Sequence, residues 1–398
     1  MTMLEENGGL YIHVPFCVRK CRYCDFYSET DLAPIDAFVD AVVRETAMIE
    51  KPLMKFDSLY LGGGTPSLLF PDHVQTLIEA IRNAFELVPG SEITLEANPK
   101  TTSAVQLTRY RAAGINRIHL GVQSFNDRRL AFLGRMHTSA DAESTLQQAR
   151  NAGFENLGID LIYGLPGQTL SDWFSDLRRA VYFRPEHLSC YMLTLEPGTP
   201  LFEDAAAGKF TSLSDAKTRD LYMATVAFLE EHGYDQYEIS NFASRPSPAV
   251  TEAGGHTFDP ENPCKSHHNR KYWSGAPYLG FGPSAHSHVA RQRWWNARSL
   301  TGYLKSILNG HLPIEEREVL SREQVIIESV YLGLRTVRGI DVAAFETHYG
   351  VNFTRTFEPV LGPLVNAGLM ECLPDRCRLT RRGMLYLDTI ADRMITVL

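Results

Sequence analysis

The chain is predicted to be an α/β protein built on a partial (β/α)6-type parallel barrel, with a small helical, winged-helix-like domain at its C-terminal end. Three observations predict it. Six short β-type runs recur between Leu10 and about Phe242. Segments with apolar residues at helical spacing lie between them, as repeated βα units require. Beyond residue 299 the pattern changes to helical segments followed by a short hairpin.

In order, the β-type runs are Leu10–Val14, Ser58–Leu61, Glu92–Leu95, Arg117–Leu120, Leu157–Ile162 and Leu188–Leu193. Ile35–Ile49, Pro71–Phe85 and Thr138–Ala152 read as helices, several opened by Asp, Ser or Pro as helix starts require. Residues 1–242 therefore form the barrel, whose active site is expected at the carboxyl ends of the strands. Residues 243–298 read as a linker or insertion: Ala243–Ser266 holds four prolines, two glycines and little apolar content, the make-up of a surface excursion. Residues 299–398 make the helical domain, with helices at Ser299–Leu308, Arg322–Leu334, Asp341–Tyr349 and Asn352–Ala367 and a hairpin at Leu369–Thr380. Arg376, Arg378, Arg381 and Arg382 on that hairpin and after it read as a solvated face rather than a nucleic-acid surface.

Composition narrows the function classes. With 44% hydrophobic and 22% charged residues the chain is globular. Its formal net charge of −8 argues against general nucleic-acid binding, which needs excess Lys and Arg. Met1–Gly9 carries two acids and no apolar core, so it does not read as a secretory signal, and no apolar run reaches the ~18 residues of a membrane span. A cytoplasmic protein is expected, with peripheral membrane contact left open.

Cys17, Cys21 and Cys24 stand as C-x3-C-x2-C on the exit of the first strand. Three thiolates so close together can hold one iron–sulfur cube and leave one iron without a protein ligand. A zinc site would want a fourth Cys or His, and His13 lies upstream at an unusual distance. Cys190, Cys264, Cys372 and Cys377 are scattered and read as small buried apolar residues. On the exit of the second strand, Leu61-Gly62-Gly63-Gly64-Thr65-Pro66 exposes backbone groups to a ligand but lacks a dinucleotide fingerprint and the Lys of a phosphate loop.

Together the cysteine motif and the glycine loop resemble the radical SAM superfamily. That resemblance implies a [4Fe-4S] cluster on Cys17, Cys21 and Cys24, with S-adenosyl-L-methionine chelating the open iron. Within the superfamily the chain is similar, from about Leu10 to its C-terminus, to the relatives of oxygen-independent coproporphyrinogen III dehydrogenase. The match implies S-adenosylmethionine contacts at Tyr11, Tyr23, Gly63, Gly64, Thr65, Glu96, Gln123, Arg135 and Asp160. Glu96, Gln123 and Asp160 sit at or near strand exits and can hydrogen-bond ribose hydroxyls or the methionine amine, and Arg135 can pair with a carboxylate.

Two departures separate the chain from the dehydrogenases. Those enzymes resemble C-x3-C-x2-C-x-C, whereas Phe26 stands at the fourth position here. The cluster motif also begins too early to leave room for their N-terminal extension. In addition, His268-Asn269-Arg270-Lys271-Tyr272-Trp273 is similar to the H-N-x-x-Y-W signature of HemW-type haem chaperones. This implies haem as cargo, held at His268, Asn269, Tyr272 and Trp273 and passed to acceptor haemoproteins. Imidazole ligates iron, and Tyr and Trp stack on a flat macrocycle. His267 and His286 are expected near the same ligand, and Cys264 is a candidate second axial ligand. The competing reading is oxygen-independent coproporphyrinogen III dehydrogenase. A zinc hydrolase lacks the dispersed His and carboxylate ligands it would need.

Overall fold

The computed structural model describes residues 7–50, 52–246 and 262–398. Six strands, β1 (Gly8–Val14), β2 (Phe56–Gly63), β3 (Leu87–Ala97), β4 (Arg117–Gln123), β5 (Asn156–Tyr163) and β6 (His187–Met192), pair consecutively and in parallel. Between them run α1 (Ile35–Met48), α2 (Pro71–Ala84), α3 (Ala104–Ala113), α4 (Asp127–Leu133), α5 (Ser139–Asn151) and α6 (Leu170–Tyr182). Every strand expected from sequence is present.

Period-two alternation divides each strand between two environments. Leu10, Ile12 and Val14 of β1, Leu59 and Leu61 of β2, Ile118 and Leu120 of β4, and Leu157, Ile159 and Leu161 of β5 join the helices in one apolar core. The intervening residues are largely polar: on the other face Tyr11 meets Tyr60, Tyr60 bonds Glu96, and His119 lies between Asp160 and Ser189, while Ser58 bonds His268. Burying a polar group is tolerated only when it is hydrogen-bonded, and here the partners come from neighbouring strands.

The parallel strands are the middle of a larger, open sheet. On one side β6 pairs with β8 (Asn241–Ser244), which pairs with β7 (Tyr234–Gln236). These follow α7 (Pro200–Ala206) and α8 (Asp215–Glu231). On the other side β9 (Tyr278–Phe281) adds in parallel to β1, and β10 (His286–Val289), β11 (Gln292–Asn296) and β12 (Ile314–Val319) continue antiparallel, making twelve strands. Residues 278–296, which read from sequence as part of a linker, thus belong to the same sheet as the cysteine-bearing strand. The runs are too short to announce themselves, and pairing with β1 decides their conformation. Residues 247–261 of the Pro-rich stretch lie outside the described residues.

Past α9 (His267–Ser274) and α10 (Leu300–Leu308), the C-terminal part comprises α11 (Arg322–Arg335), α12 (Val342–Tyr349), α13 (Phe353–Asn366) and a three-stranded sheet in which β15 (Arg376–Leu379) lies between β13 (Ile340–Asp341) and β14 (Met370–Cys372). The helices and hairpin expected from sequence are present, and two helices not expected, α14 (Arg381–Met384) and α15 (Leu387–Ile395), follow the hairpin. Arg376 and Arg378 pair with Asp375 and Glu371, and Arg381 with Glu230. No helix among the described residues is long and apolar enough to cross a membrane.

Candidate functional site

At the carboxyl ends of the strands lies a cleft of about 730 Å³, lined by Cys17, Cys21 and Cys24 together with Tyr23, Gly63, Gly64, Thr65, Glu96, Gln123, Arg135 and Asp160. The cysteine loop and the glycine loop are built against each other. The Cys17 Sγ lies 3.5 Å from Thr65 Oγ1, which also accepts from Asn98 Nδ2 at 2.9 Å. The Gly64 amide donates to Val14 O at 2.8 Å, and a Cβ on Gly64 would come within 2.6 Å of Phe16 O. Gly64 is therefore required by the close passage of two backbones as well as by any ligand.

Among the described residues no three His, Cys, Asp or Glu side chains gather as a single metal ion requires. His13 is turned away from the cysteines, its Nε2 2.9 Å from Tyr27 O. The three thiols instead share a cleft whose size suits a cluster with a nucleoside-sized ligand. Arg135 Nη1 donates to Cys21 Sγ at 3.4 Å, so a fixed cation stands where thiolate charge would develop. Burial pushes the Cys24 thiol up to about 11. Loading iron there would release a proton.

Each expected ligand in the cleft is held by a neighbour. Glu96 accepts from Tyr60 Oη at 2.7 Å and from the Gly63 amide at 3.2 Å. Burial, opposed by the Tyr60 hydrogen bond and reinforced by Asp160, raises its carboxyl to about 7. Asp160 Oδ1 is 2.6 Å from His119 Nε2, which in turn lies 3.2 Å from Ser189 Oγ. Arg135 Nη2 donates to Gly121 O at 2.6 Å and also to Asn98 Oδ1. Gln123 ends β4 with φ +67°, a left-handed conformation unusual for a side chain of its size and characteristic of functional sites. Burial raises the Tyr23 hydroxyl well above its ordinary range. Tyr11 is the exception: its hydroxyl is 3.2 Å from His13 Nδ1 and its ring lies against Tyr60 and His268, below the cleft wall.

The H-N-x-x-Y-W segment forms α9 at the opposite, amino-terminal end of the strands. Glu92, in the middle of β3 and in register with Ser58, accepts from the His267 and His268 amides at 3.1 and 3.0 Å, and Asp57 pairs with His267 Nε2 and Lys271 Nζ at 2.9 and 2.7 Å. His268 is 2% exposed. Its Nδ1 is 3.0 Å from Ser58 Oγ and its Nε2 3.0 Å from Tyr272 Oη, and its ring stacks on Tyr60. Gly9 sits beneath it, where any Cβ would approach the ring within 3.1 Å.

The residues expected to hold haem have protein partners in this structure. Both His268 nitrogens are occupied and none of the four motif residues lines the cleft. Asn269 bonds Tyr237, Tyr272 packs edge-on against Tyr278, and Trp273 lies 4.5 Å under the Arg335 guanidinium of α11. The segment plugs the barrel and ties it to the C-terminal helices. Cys264 is no axial partner to His268; its thiol bonds Ser244. His286 is exposed on β10 and stacks on Trp295.

Residues 11–180 match the model of the radical SAM superfamily, and residues 320–386 that of the HemN C-terminal domain. "Heme chaperone HemW" of Lactococcus lactis is 34% identical over 397 residues, covering 99% of this chain and 98% of the relative. The chain belongs to the HemW family of radical SAM proteins. The Synechocystis member is 37% identical over 83% of this chain and 78% of its own. "Radical S-adenosyl methionine domain-containing protein 1, mitochondrial" of Danio rerio is 30% identical over 98% and 87%. Among solved structures, "Coproporphyrinogen III oxidase (HemN)" from Escherichia coli superposes with TM-score 0.81 at 26% identity, covering 99% of this chain and 91% of that one.

Sequence reasoning on this HemW-family chain missed the residues that position the ligands. Tyr60, Asn98, His119 and Ser189 stand on or just beyond strands already recognised. Their signal was a polar residue at every second position of an otherwise apolar strand, the mark of a polar inner face.

Proposed function

We propose that this protein is a haem chaperone that holds a [4Fe-4S] cluster on Cys17, Cys21 and Cys24, binds S-adenosylmethionine in the adjoining cleft and passes haem to acceptor haemoproteins. The observation that carries this reading is Phe26. It is 69% exposed in the cleft wall, at the position where the resemblance calls for a fourth cysteine in the dehydrogenases, and the near full-length likeness is to proteins named haem chaperones. The cluster, when bound, supplies an electron and an open iron site. Glu96 would accept from the methionine amino group, Arg135 would balance the negative charge at Cys21, and Asp160, steadied by His119, would accept from the ribose.

The raised Glu96 carboxyl makes that role pH-dependent. A protonated Glu96 is a poorer acceptor for the amino N–H than the carboxylate, so S-adenosylmethionine affinity is expected to rise with pH through about 7 and level off above it. Calorimetric titration of reconstituted protein across this range should show the step, and Glu96→Gln should bind weakly without it. A step that survives in the variant would remove Glu96 from the role.

The closed plug directs the cargo to the cleft mouth. Phe26, Met192 and Tyr191 line it with 69%, 51% and 42% of their surfaces exposed, an apolar rim beside the cationic Arg19 and Lys20. Such a rim suits the face of a macrocycle bearing two propionates. Met192→Glu is expected to weaken haem binding about tenfold, the effect of ~1.4 kcal/mol, with the cluster spectrum unchanged. An unaltered titration would clear the rim of this role.

The alternative, coproporphyrinogen III dehydrogenase, is favoured by the HemN superposition. The deciding experiment offers haem or coproporphyrinogen III, anaerobically, to cluster-reconstituted protein with S-adenosylmethionine and a reductant. Stoichiometric haem binding without turnover supports the chaperone. Catalytic formation of protoporphyrinogen without tight haem binding establishes the enzyme.

A further inference from the structure

Cys372 and Cys377, which read from sequence as isolated buried residues, face each other across the C-terminal hairpin. They are register partners on β14 and β15. The Leu373 amide donates to Arg376 O at 2.8 Å just beyond them, which marks Cys372 and Cys377 as a non-hydrogen-bonded pair. Opposed Cα atoms at such a position lie about 4.5 Å apart, inside the ~4.4–6.8 Å range that a disulfide spans. The two thiols differ in access. Cys372 is exposed, whereas Cys377 is 1% exposed and donates to Met370 Sδ at 3.3 Å.

We propose that Cys372 and Cys377 form a reversible dithiol–disulfide site that reacts with low-molecular-weight disulfides, Cys372 attacking and Cys377 resolving. The Cys372 thiolate attacks one sulfur of the small disulfide, breaks its S–S bond and expels one thiolate, which takes a proton from water. Cys377 then gives its proton to solvent and attacks Cys372 Sγ, expelling the second thiolate. The chain loses two hydrogen atoms, and the small disulfide is reduced to two thiols. The neighbouring Cys377 thiol draws the Cys372 thiol below its ordinary range, whereas its place beside Cys372 and its burial raise Cys377, which matches this division of labour. This site is independent of the haem reading.

The test treats full-length, cluster-reconstituted protein anaerobically with oxidised glutathione, quenches with an alkylating reagent and maps peptides. The expected product is the Cys372–Cys377 disulfide with no lasting glutathione adduct, reversed by dithiothreitol. Cys377→Ser should instead accumulate glutathione on Cys372, and Cys372→Ser should leave Cys377 unreacted. A stable glutathione adduct on Cys372 of the unaltered protein, or no reaction at either cysteine, overturns the proposal. Mapping separates this bond from any chemistry at Cys17, Cys21 and Cys24.

Discussion

Alanine at any one of Cys17, Cys21 or Cys24 is expected to abolish the cluster: anaerobic reconstitution should leave no stoichiometric iron and no broad visible absorption. The effect should be complete because the loop offers no substitute. Among the described residues no other cysteine lines the cleft, and the remaining donors there, oxygen and nitrogen atoms and the Met192 thioether, cannot replace a thiolate on an iron–sulfur cube. Each thiol is also placed by separate contacts, Cys17 by Thr65, Cys21 by Arg135 and Cys24 by the Phe26 backbone, so the two that remain cannot shift to close the gap without losing them. A variant that kept a full complement of iron would refute the ligand assignment.

His268→Ala is expected to cost about 3–5 kcal/mol of folding stability, since it deletes a fully buried ring and leaves the Ser58 and Tyr272 hydroxyls without a partner. Denaturant unfolding measures this directly. The same variant is expected to bind haem and assemble the cluster as before, once it is held at a temperature where it remains folded. A haem titration that collapsed while the fold stayed intact would return the cargo to the plug.

Acid should reveal the same residue. Burial and the nearby Lys271 depress the His268 imidazole to about 3, against 6.5 when exposed. The folded value is the lower one, so the neutral ring's contribution is complete above the unfolded value and is lost as pH falls. The loss from this group is about 2 kcal/mol between pH 7 and pH 5. A slope unchanged in His268→Ala would show that other groups govern acid sensitivity.

The six parallel strands were legible because their apolar positions recur locally. α3 was not recognised: among its described side chains only Leu107 and Tyr110 are buried, which leaves little apolar periodicity to read. Its capping box, Ser103 with Gln106, was nevertheless present in the sequence. β9 to β12 escaped for a different reason. They are mostly four to six residues long, and β9 is a strand because β1 supplies its partner.

At the site, the cysteine spacing and the glycine loop were legible in the sequence, since both lie within short stretches of chain, and the resemblance they carry pointed to the strand-exit residues Glu96, Gln123 and Asp160. Other outcomes belonged to the tertiary structure. His268 meets Ser58 across 210 residues of chain, and that contact makes the imidazole part of a plug. Cys372 and Cys377 become partners only through hairpin register, and Tyr60 reaches Glu96 only because β2 and β3 lie side by side. A residue type restricts which chemistry is available. Whether its polar atoms are free to perform that chemistry depends on neighbours distant in sequence, because burial and hydrogen bonding decide which donors and acceptors remain open.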